Sequence, residues 1–152
     1  MSEPAQNIAS IQTYLQRAVL EGNLEILPHL FEPDAASYGV DGREPLLGIE
    51  GQRQFIILLH RHLGDLRLTI EDIIAVDEKV AVRFTLSGTT TIHTTLERRL
   101  GIDDDGRITL ISYAIYHFAH GRIRDSWTTF ESKNQSCGQR ILEAFHLMNG
   151  CQ

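Results

Sequence analysis

The residues best suited to chemistry lie in one stretch of the chain, Gly106 to Glu131. Ile, Tyr, Leu and Phe fill its first half, and alternating apolar residues return in its second half. Between the halves, His120-Gly121 supplies a glycine of the kind that tight hairpin turns require. β-Branched and aromatic runs on both sides of such a turn predict a β-hairpin. This hairpin carries most of the aromatic and titratable candidates.

An ideal two-residue turn fixes the register of the hairpin and sorts its side chains onto two faces. The opposed pairs are then Ala119–Arg122, Phe118–Ile123, Tyr116–Asp125 and Ala114–Trp127. Large apolar groups and one carboxylate share the face that we expect to look inward: Tyr116, Phe118, Ile123, Trp127 and Glu131. The opposite face carries His117, Arg124, Ser126 and Thr128.

Glu131 is the leading candidate for proton transfer. A carboxylate at the end of an aromatic-lined strand loses hydration, and desolvation raises its pKa towards the range that a general acid/base needs near neutral pH. The alternative is a solvated Glu131 without a chemical role, at the point where the strand ends in SKNQS.

Length and charge bound the remaining possibilities. A chain of 152 residues is expected to form one domain spanning 1–152. The formal net charge of −6 and the absence of a basic cluster argue against a nucleic-acid partner. No apolar run has the length of a bilayer span and no signal peptide is recognisable, so we expect a cytoplasmic protein without membrane contact. Cys137 and Cys151 are expected to be reduced.

The first part of the sequence predicts three helices. Residues Ile8, Ile11, Leu15, Ala18 and Val19 form an apolar stripe. Gly22 ends this first helix, and Asn23 caps a shorter second helix with Pro28 in its first turn. A loop or short strand is expected from Ala35 to Val40, and an irregular connection from Asp41 to Gly51. The third helix is expected from Gln52 to Leu63.

Extended segments follow. Leu66–Val76 and Lys79–Thr91 are predicted strands joined by a turn at Asp77-Glu78. In this second hairpin Arg83 opposes Asp72, and Phe84 opposes Glu71. A cross-strand ion pair is the simpler role for Arg83, and an oxyanion donor in a cavity is the alternative. Ile92–Asp105 is expected to be irregular, with a turn at its end.

Helices followed by a meander of strands predict an α+β fold: a cone of three N-terminal helices packed on a strongly curved antiparallel sheet. The tail, 132–152, contains a weak helix, Gln139–Met148, that could cap the cavity or meet another subunit. Exposed apolar residues of the hairpin, Tyr113 and Ile115 beside Arg124, predict a homodimer.

Neither a metal nor a cofactor is expected. His60 and His62 are two residues apart on a helix, so they point to different sides and do not form a zinc site. No nucleophile elbow or phosphate-binding glycine loop is recognisable in the sequence.

Three segments resemble the SnoaL-like polyketide cyclases of the nuclear transport factor two-like superfamily. They are GIEGQRQF (Gly48–Phe55), VAVRFTLSGT (Val80–Thr89) and GRITLISYAIYHFAHGRIRDSW (Gly106–Trp127). The resemblance covers most of the chain up to Glu131. It implies the same cone fold, which also serves isomerases, dehydratases, hydrolases and binding domains.

The resemblance also implies roles for individual residues. Glu131 matches the family's acid/base, where Asp is usual, and His117 matches a polar residue ten positions before the hairpin Trp. If both act in one site, a β-bulge must turn one of them to the other face. Tyr38 matches another polar position. The family's Thr-His pair is Thr89-Thr90 here, and HTTLERRLGIDDD replaces its Gly- and Pro-rich loop.

Two functions follow as hypotheses. In the first, a cyclase or isomerase uses Glu131 to remove a proton from an apolar, polyketide-like carbonyl compound while His117, Tyr38 or Tyr116 supports the oxyanion, with Arg83 and Trp127 also contacting the substrate. In the second, the same fold is a binding or dimerisation module without catalysis.

Overall fold

The computed structural model describes residues 3–39, 44–90 and 107–132. Within these ranges, three α-helices pack against one open six-stranded sheet. The helices are α1 (Pro4–Thr13), α2 (Leu27–Leu30) and α3 (Gly48–His62). The strands are β1 (Phe31–Tyr38), β2 (Leu46–Leu47), β3 (Leu63–Val76), β4 (Lys79–Thr90), β5 (Arg107–Ala119) and β6 (Arg122–Ser132).

The predicted α+β cone is confirmed, with one difference in the sheet. The strand order is β2-β1-β6-β5-β4-β3. Neighbouring strands are antiparallel except for β1 and β6, which run parallel. Parallel pairing requires a long connection, and nearly the whole sheet lies between β1 and β6 in the sequence. The sheet is therefore mixed rather than purely antiparallel.

The first helix widens towards its end. From Tyr14 to Leu20 the helix has π geometry, and Gly22, with a φ of +76°, ends it as the sequence predicts. The wider turn directs several side chains into the core: Tyr14, Leu15, Ala18 and Val19. The carbonyl of Val19 lies 2.8 Å from His60 Nε2, which joins this segment to α3.

Several boundaries differ from the sequence-based prediction. The third helix begins at Gly48, within the segment expected to be irregular, and ends at His62. Gly48 has a φ of +67°, which lets the chain turn sharply out of β2 into the helix. β1 begins at Phe31, earlier than predicted. The predicted tail helix, Cys137, Cys151 and the whole of Ile92–Asp105 lie outside the described residues.

The β5–β6 hairpin contains one extra residue, and this changes its register. His120 and Gly121 form the turn with φ values of 54° and 77°. Ala119–Arg122 and Phe118–Ile123 pair as predicted, but His117 then opposes Asp125, so Arg124 is a β-bulge. The pairs beyond it are Tyr116–Ser126 and Ala114–Thr128. The predicted pairs Tyr116–Asp125 and Ala114–Trp127 are wrong.

The bulge reverses the alternation of side chains in the rest of β6. Ser126, Thr128 and Phe130 are buried, whereas Trp127 and Glu131 are exposed. We call the face that packs on the helices the inner face and its opposite the outer face. Tyr116, Phe118 and Ile123 are inward as predicted. The prediction that Trp127 and Glu131 share this face with them is wrong, because it assumed an unbroken ladder.

The β3–β4 hairpin agrees more closely with the sequence. Its turn is Asp77-Glu78, with a φ of 54° at Asp77. Arg83 opposes Asp72 as predicted, but a second irregularity near Glu71 places Ile70 opposite Phe84. No ion pair between Asp72 and Arg83 is found in the described part of the chain, although the two residues are cross-strand neighbours.

A buried carboxylate holds the start of β1 against the tip of the β5–β6 hairpin. Glu32 Oε1 lies 3.0 Å from His120 Nδ1, and Glu32 Oε2 lies 3.1 Å from Arg122 Nη2. Arg122 also donates to the carbonyl of Pro28 at 3.3 Å. Glu32 is 7% exposed. The contacts stabilise the pairing of β1 with β6 at the point where the registers of both strands become irregular.

We predict that Glu32→Gln lowers the melting temperature by about 3–6 °C, because it removes the charge that holds these two donors. Glu131→Gln is the matched control: the same change at an exposed position of β6 should shift the melting temperature by less than about 2 °C. Thermal unfolding followed by circular dichroism measures both. Equal shifts in the two variants would show that the Glu32 contacts contribute nothing specific.

Candidate functional site

The structure separates the predicted site residues onto two faces of the sheet. Only Tyr116 points to the inner face, where it is 4% exposed. The others lie on the outer face or its margin: Tyr38, Arg83, His117, Trp127 and Glu131. The predicted wall of the cone is therefore correct for Tyr116 and wrong for Trp127.

Three of the predicted residues do meet, but outside the cone. Trp127 stacks on Tyr38 with ring centroids 5.5 Å apart and an angle of 15°. His117 contacts the same indole edge-on, at 4.8 Å and 63°. These aromatic contacts make the outer face more rigid than isolated exposed side chains would be.

Glu131 does not join this cluster. It opposes Ile111, whereas His117 opposes Asp125, so about 20 Å of strand separates their positions at ~3.3 Å per residue. A β-bulge does bring His117 and Glu131 to the same face of the sheet, as a shared site would require. That face is the outer one, however. The expectation that Glu131 is shielded inside the cone is wrong, because Glu131 is exposed.

A broad groove crosses the outer face, with a volume of about 490 Å³. Its side chains come from four adjacent strands and include Asp72, Arg83, Tyr113, Ile115 and Trp127. The groove is an open surface that water reaches along its length. Its shape suits a protein partner better than a small molecule that must be shielded from water.

The inner cavity lies between the helices and the inner face. Hydroxyl and amide groups line one side of it: Tyr14, Ser37, Gln52, Tyr116, Ser126 and Thr128. Apolar side chains line the rest: Leu15, Val19, Phe55, Phe84, Leu86 and Phe130. The cavity volume is about 30 Å³, room for about two water molecules. Although much smaller than the groove, this cavity has the buried, converging polar groups that small-molecule sites use.

Four of the polar side chains of the inner cavity form a continuous hydrogen-bonded chain. Tyr14 donates its hydroxyl to Gln52 Oε1 at 2.9 Å. Gln52 Nε2 donates to Ser37 Oγ at 2.5 Å, and Ser126 Oγ donates to the same oxygen at 2.9 Å. The chain joins the π-helical segment Tyr14–Leu20, α3, β1 and β6. Because Ser37 accepts twice, its own hydrogen is left to donate to a ligand.

Two buried tyrosines, Tyr14 of the hydrogen-bonded chain and Tyr116, contact each other in the inner cavity. Their rings meet edge-on, with centroids 6.1 Å apart. Burial, and to a lesser extent the neighbouring Tyr116, hold the pKa of Tyr14 well above its ordinary value of 10.0. Burial likewise raises the pKa of Tyr116, and a hydrogen bond with Thr128 offsets part of the rise. Both phenols therefore remain neutral hydrogen-bonding groups at physiological pH.

The described lining residues of the inner cavity include no carboxylate and no imidazole. The described ranges also hold no cluster of three His, Cys, Asp or Glu residues arranged to bind a metal. No helix among the described residues is long and apolar enough to cross a membrane. The chemistry available to these lining residues is hydrogen bonding by neutral donors.

Most residues of the hydrogen-bonded chain in the inner cavity are not identified by the sequence analysis. Tyr14 stands three residues after Ile11 and one before Leu15, so its spacing already places it on the apolar stripe of the first helix. A phenol on such a stripe signals a buried hydroxyl that needs a partner. Ser126 was assigned to the opposite face by the ideal register. Ser37 lies in a segment expected to be a loop or short strand, Gln52 begins the predicted third helix, and no local pattern marks either residue.

Comparisons with known proteins agree with the fold. A family model described as SnoaL-like polyketide cyclase matches residues 9–134. No curated protein matches the sequence. The structure of TsrD from Streptomyces laurentii superposes with a TM-score of 0.67 at 21% identity, covering 100% of both chains.

Two further solved structures share the fold. A SnoaL-like polyketide cyclase from Agrobacterium tumefaciens has a TM-score of 0.63 at 18% identity, covering 82% of this chain and 91% of its own. An LEH-like epoxide hydrolase from M. tuberculosis has a TM-score of 0.66 at 13% identity, covering 99% and 100%. Similarity at these identities shows the fold and leaves the reaction open.

The buried tyrosines predict a loss of stability at alkaline pH. In the unfolded chain both phenols ionise near pH ~10, whereas in the folded protein they keep their protons to higher pH. The unfolded state then binds fewer protons, so the free energy of unfolding falls as pH rises above ~10, by up to about 1.4 kcal/mol per pH unit for each tyrosine.

Urea unfolding of the parent and of the double variant Tyr14→Phe/Tyr116→Phe at about pH 9, 10 and 11 measures this effect. We expect a shallower alkaline decline in the double variant. Parallel declines in the two proteins would contradict the burial of neutral phenols.

Proposed function

The chain belongs to the SnoaL-like polyketide cyclase family, and from that premise we propose a cofactor-independent cyclase or isomerase. The proposed substrate is an apolar, polyketide-like small molecule that carries a carbonyl group. Its carbonyl oxygen would lie in the inner cavity, where hydrogen bonds stabilise the enolate that forms when a neighbouring carbon loses a proton. The observation that carries this proposal is the hydrogen-bonded chain that ends on Ser37.

Ser37 is suited to this role because of its position in the chain. Its oxygen accepts from Gln52 and Ser126, and accepting hydrogen bonds polarises the remaining O–H and makes it a stronger donor. It is 3% exposed, so a bond to a developing oxyanion forms away from water and is strengthened by the low local dielectric. The donor is fixed in place by elements from both halves of the fold.

The proton acceptor is the part of the reaction that the described lining residues do not supply. The resemblance assigns that role to Glu131, with His117 as a supporting polar residue, and both lie on the outer face. Their catalytic roles remain predictions. We do not assign the acceptor to any of the hydroxyl or amide groups of the inner cavity, because neutral hydroxyl and amide oxygens are too weakly basic to remove a proton from carbon.

The same observation favours a second candidate, a ligand-binding module without turnover. A cavity lined by neutral donors and apolar groups can hold a carbonyl compound without transferring its proton. In either case a ring-sized ligand must displace the side chains that reduce the cavity to about 30 Å³. Phe55, which is only partly buried, is the aromatic side chain best placed to move.

Exchange of α-hydrogens in 2-tetralone, an apolar bicyclic ketone, tests the proposal. In D₂O the parent protein should accelerate exchange, and NMR follows the loss of the α-proton signal. Ser37→Ala should lower the rate by about ten- to a hundredfold, because it removes the oxyanion donor. Ser37→Thr, which keeps the hydroxyl, should recover much of the rate.

Two controls define the outcomes. Thr129→Val removes a hydroxyl from the outer groove and should leave exchange unchanged. Glu131→Gln tests whether a residue of the outer face takes part. If Glu131 is an exposed carboxylate outside the cavity, the variant should change the exchange rate less than twofold. If Glu131 is the general base, the variant should lower the rate by about two to four orders of magnitude. Binding of 2-tetralone without exchange would support the binding module. Neither binding nor exchange would contradict both candidates.

We further propose that the outer face forms a homodimer. Large exposed apolar side chains concentrate on it: Tyr38, Ile74, Val76, Tyr113, Ile115 and Trp127. Contiguous apolar surface of this kind usually marks an interface. Asp72 and Arg83 lie opposite each other in the same groove, and adjacent charges of opposite sign are complementary to a copy of themselves across a two-fold axis.

Ile115→Glu should convert this dimer to a monomer, because it places a charge within the apolar face. Leu47→Glu is the matched control, since Leu47 is 65% exposed and lies on β2, away from the groove. Light scattering at micromolar concentration measures the mass. Trp127, the only tryptophan, should report the same change by a red shift of its emission. A parent protein with the mass of one chain would refute the interface.

A further inference from the structure

One polar side chain on the inner face of the sheet has no hydrogen-bond partner among the residues that the structure describes. Ser112 is 0% exposed, and its hydroxyl oxygen makes no hydrogen bond within the described residues. Leaving a hydroxyl buried and unpaired destabilises the folded state, and native proteins rarely do so without a reason.

The neighbours of Ser112 place it next to the inner cavity. Ser112 opposes Phe84 on one side and Phe130 on the other, and both phenyl rings line the cavity. Two residues further along β5 on the same face lies Ala114, which opposes the lining residue Thr128. Ser112 itself does not line the cavity, but it lies directly between two residues that do, and a ligand that displaces either phenyl ring would meet its hydroxyl.

The adjacent rows show that packing alone does not require a hydroxyl here. In one neighbouring row Ala114 packs between its partners, and in the other Leu110 does so beside Leu86. An apolar residue at position 112 would avoid the cost of an unpaired hydroxyl. The serine therefore points to an interaction that the protein makes only when the cavity is occupied.

We propose that Ser112 is a ligand-contacting residue that hydrogen-bonds a second oxygen of the substrate, away from the carbonyl bound at Ser37. The proposal rests on the proposed function of the inner cavity. It narrows the substrate class to an apolar molecule with at least two separated oxygen functions, such as a hydroxylated cyclic ketone. Ser112 then sets specificity between mono- and dioxygenated ligands.

The experiment compares 2-tetralone with its monohydroxylated ring isomers as probes, using calorimetric binding to the parent and to Ser112→Ala. The parent should bind at least one hydroxylated isomer more tightly than 2-tetralone. Ser112→Ala should weaken that isomer about three- to tenfold and leave the affinity for 2-tetralone within twofold. Ser112→Thr, which keeps the hydroxyl, should retain the preference.

The melting temperature of the ligand-free protein distinguishes a ligand-contacting serine from a purely structural one. Replacing a structural serine, whose hydroxyl is hydrogen-bonded, would lower the melting temperature, whereas replacing an unpaired one should raise it. Removing an unpaired buried hydroxyl should raise the melting temperature of the ligand-free protein by about 2–4 °C. Ser126→Ala, which removes a hydroxyl that donates to Ser37, should lower the melting temperature instead. A lower melting temperature in Ser112→Ala would show that the hydroxyl already has a partner and would overturn the proposal.

The remaining outcomes separate the two claims. If the parent binds the probes and Ser112→Ala binds each of them as tightly as the parent does, the Ser112 assignment fails and the proposed function of the cavity stands. If the parent binds none of the probes, the proposed function fails, and the assignment of Ser112 fails with it.

Discussion

One extra residue in a β-ladder decides which side chains this protein presents to its interior. Arg124 interrupts the alternation of β6, and from that point each side chain faces the side opposite to the one an ideal hairpin would give it. Ser126 and Thr128 gain the inner face, and Trp127 and Glu131 lose it. The irregularity coincides with the register shift between β1 and β6, so both neighbours of β6 accommodate it at the same place.

The bulge gives the two faces different electrostatic characters. The lining of the inner cavity contains hydroxyl, amide and apolar groups, which can be buried without the desolvation penalty of a charge. Its polar members satisfy one another through the chain from Tyr14 to Ser37 and Ser126, and a satisfied network of this kind also fixes the relative positions of helices and strands. The outer face collects aromatic groups together with Arg83 and Asp72, which suits association rather than enclosure.

Local chemistry was sufficient to predict much of the fold. The turns at His120-Gly121 and Asp77-Glu78, the helix end at Gly22 and the opposition of Arg83 to Asp72 all depend on a few neighbouring residues. The bulge could not be predicted in the same way, because no residue type marks Arg124 and its position depends on how β6 fits between β1 and β5. Trp127 and Glu131 were misplaced for this single reason. Tyr14 was recoverable from its spacing, whereas Ser37 becomes meaningful only once Gln52 and Ser126 are seen beside it.

We propose that a small-molecule ligand occupies the inner cavity and not the outer face, where most residues suggested by sequence resemblance lie. A crystal structure of the protein with bound 2-tetralone tests this most directly. We expect electron density for the ketone beside Phe84 and Phe130, with its oxygen within hydrogen-bonding distance of Ser37 Oγ. Density for the ketone between Arg83 and Trp127, with the inner cavity unchanged, would contradict it.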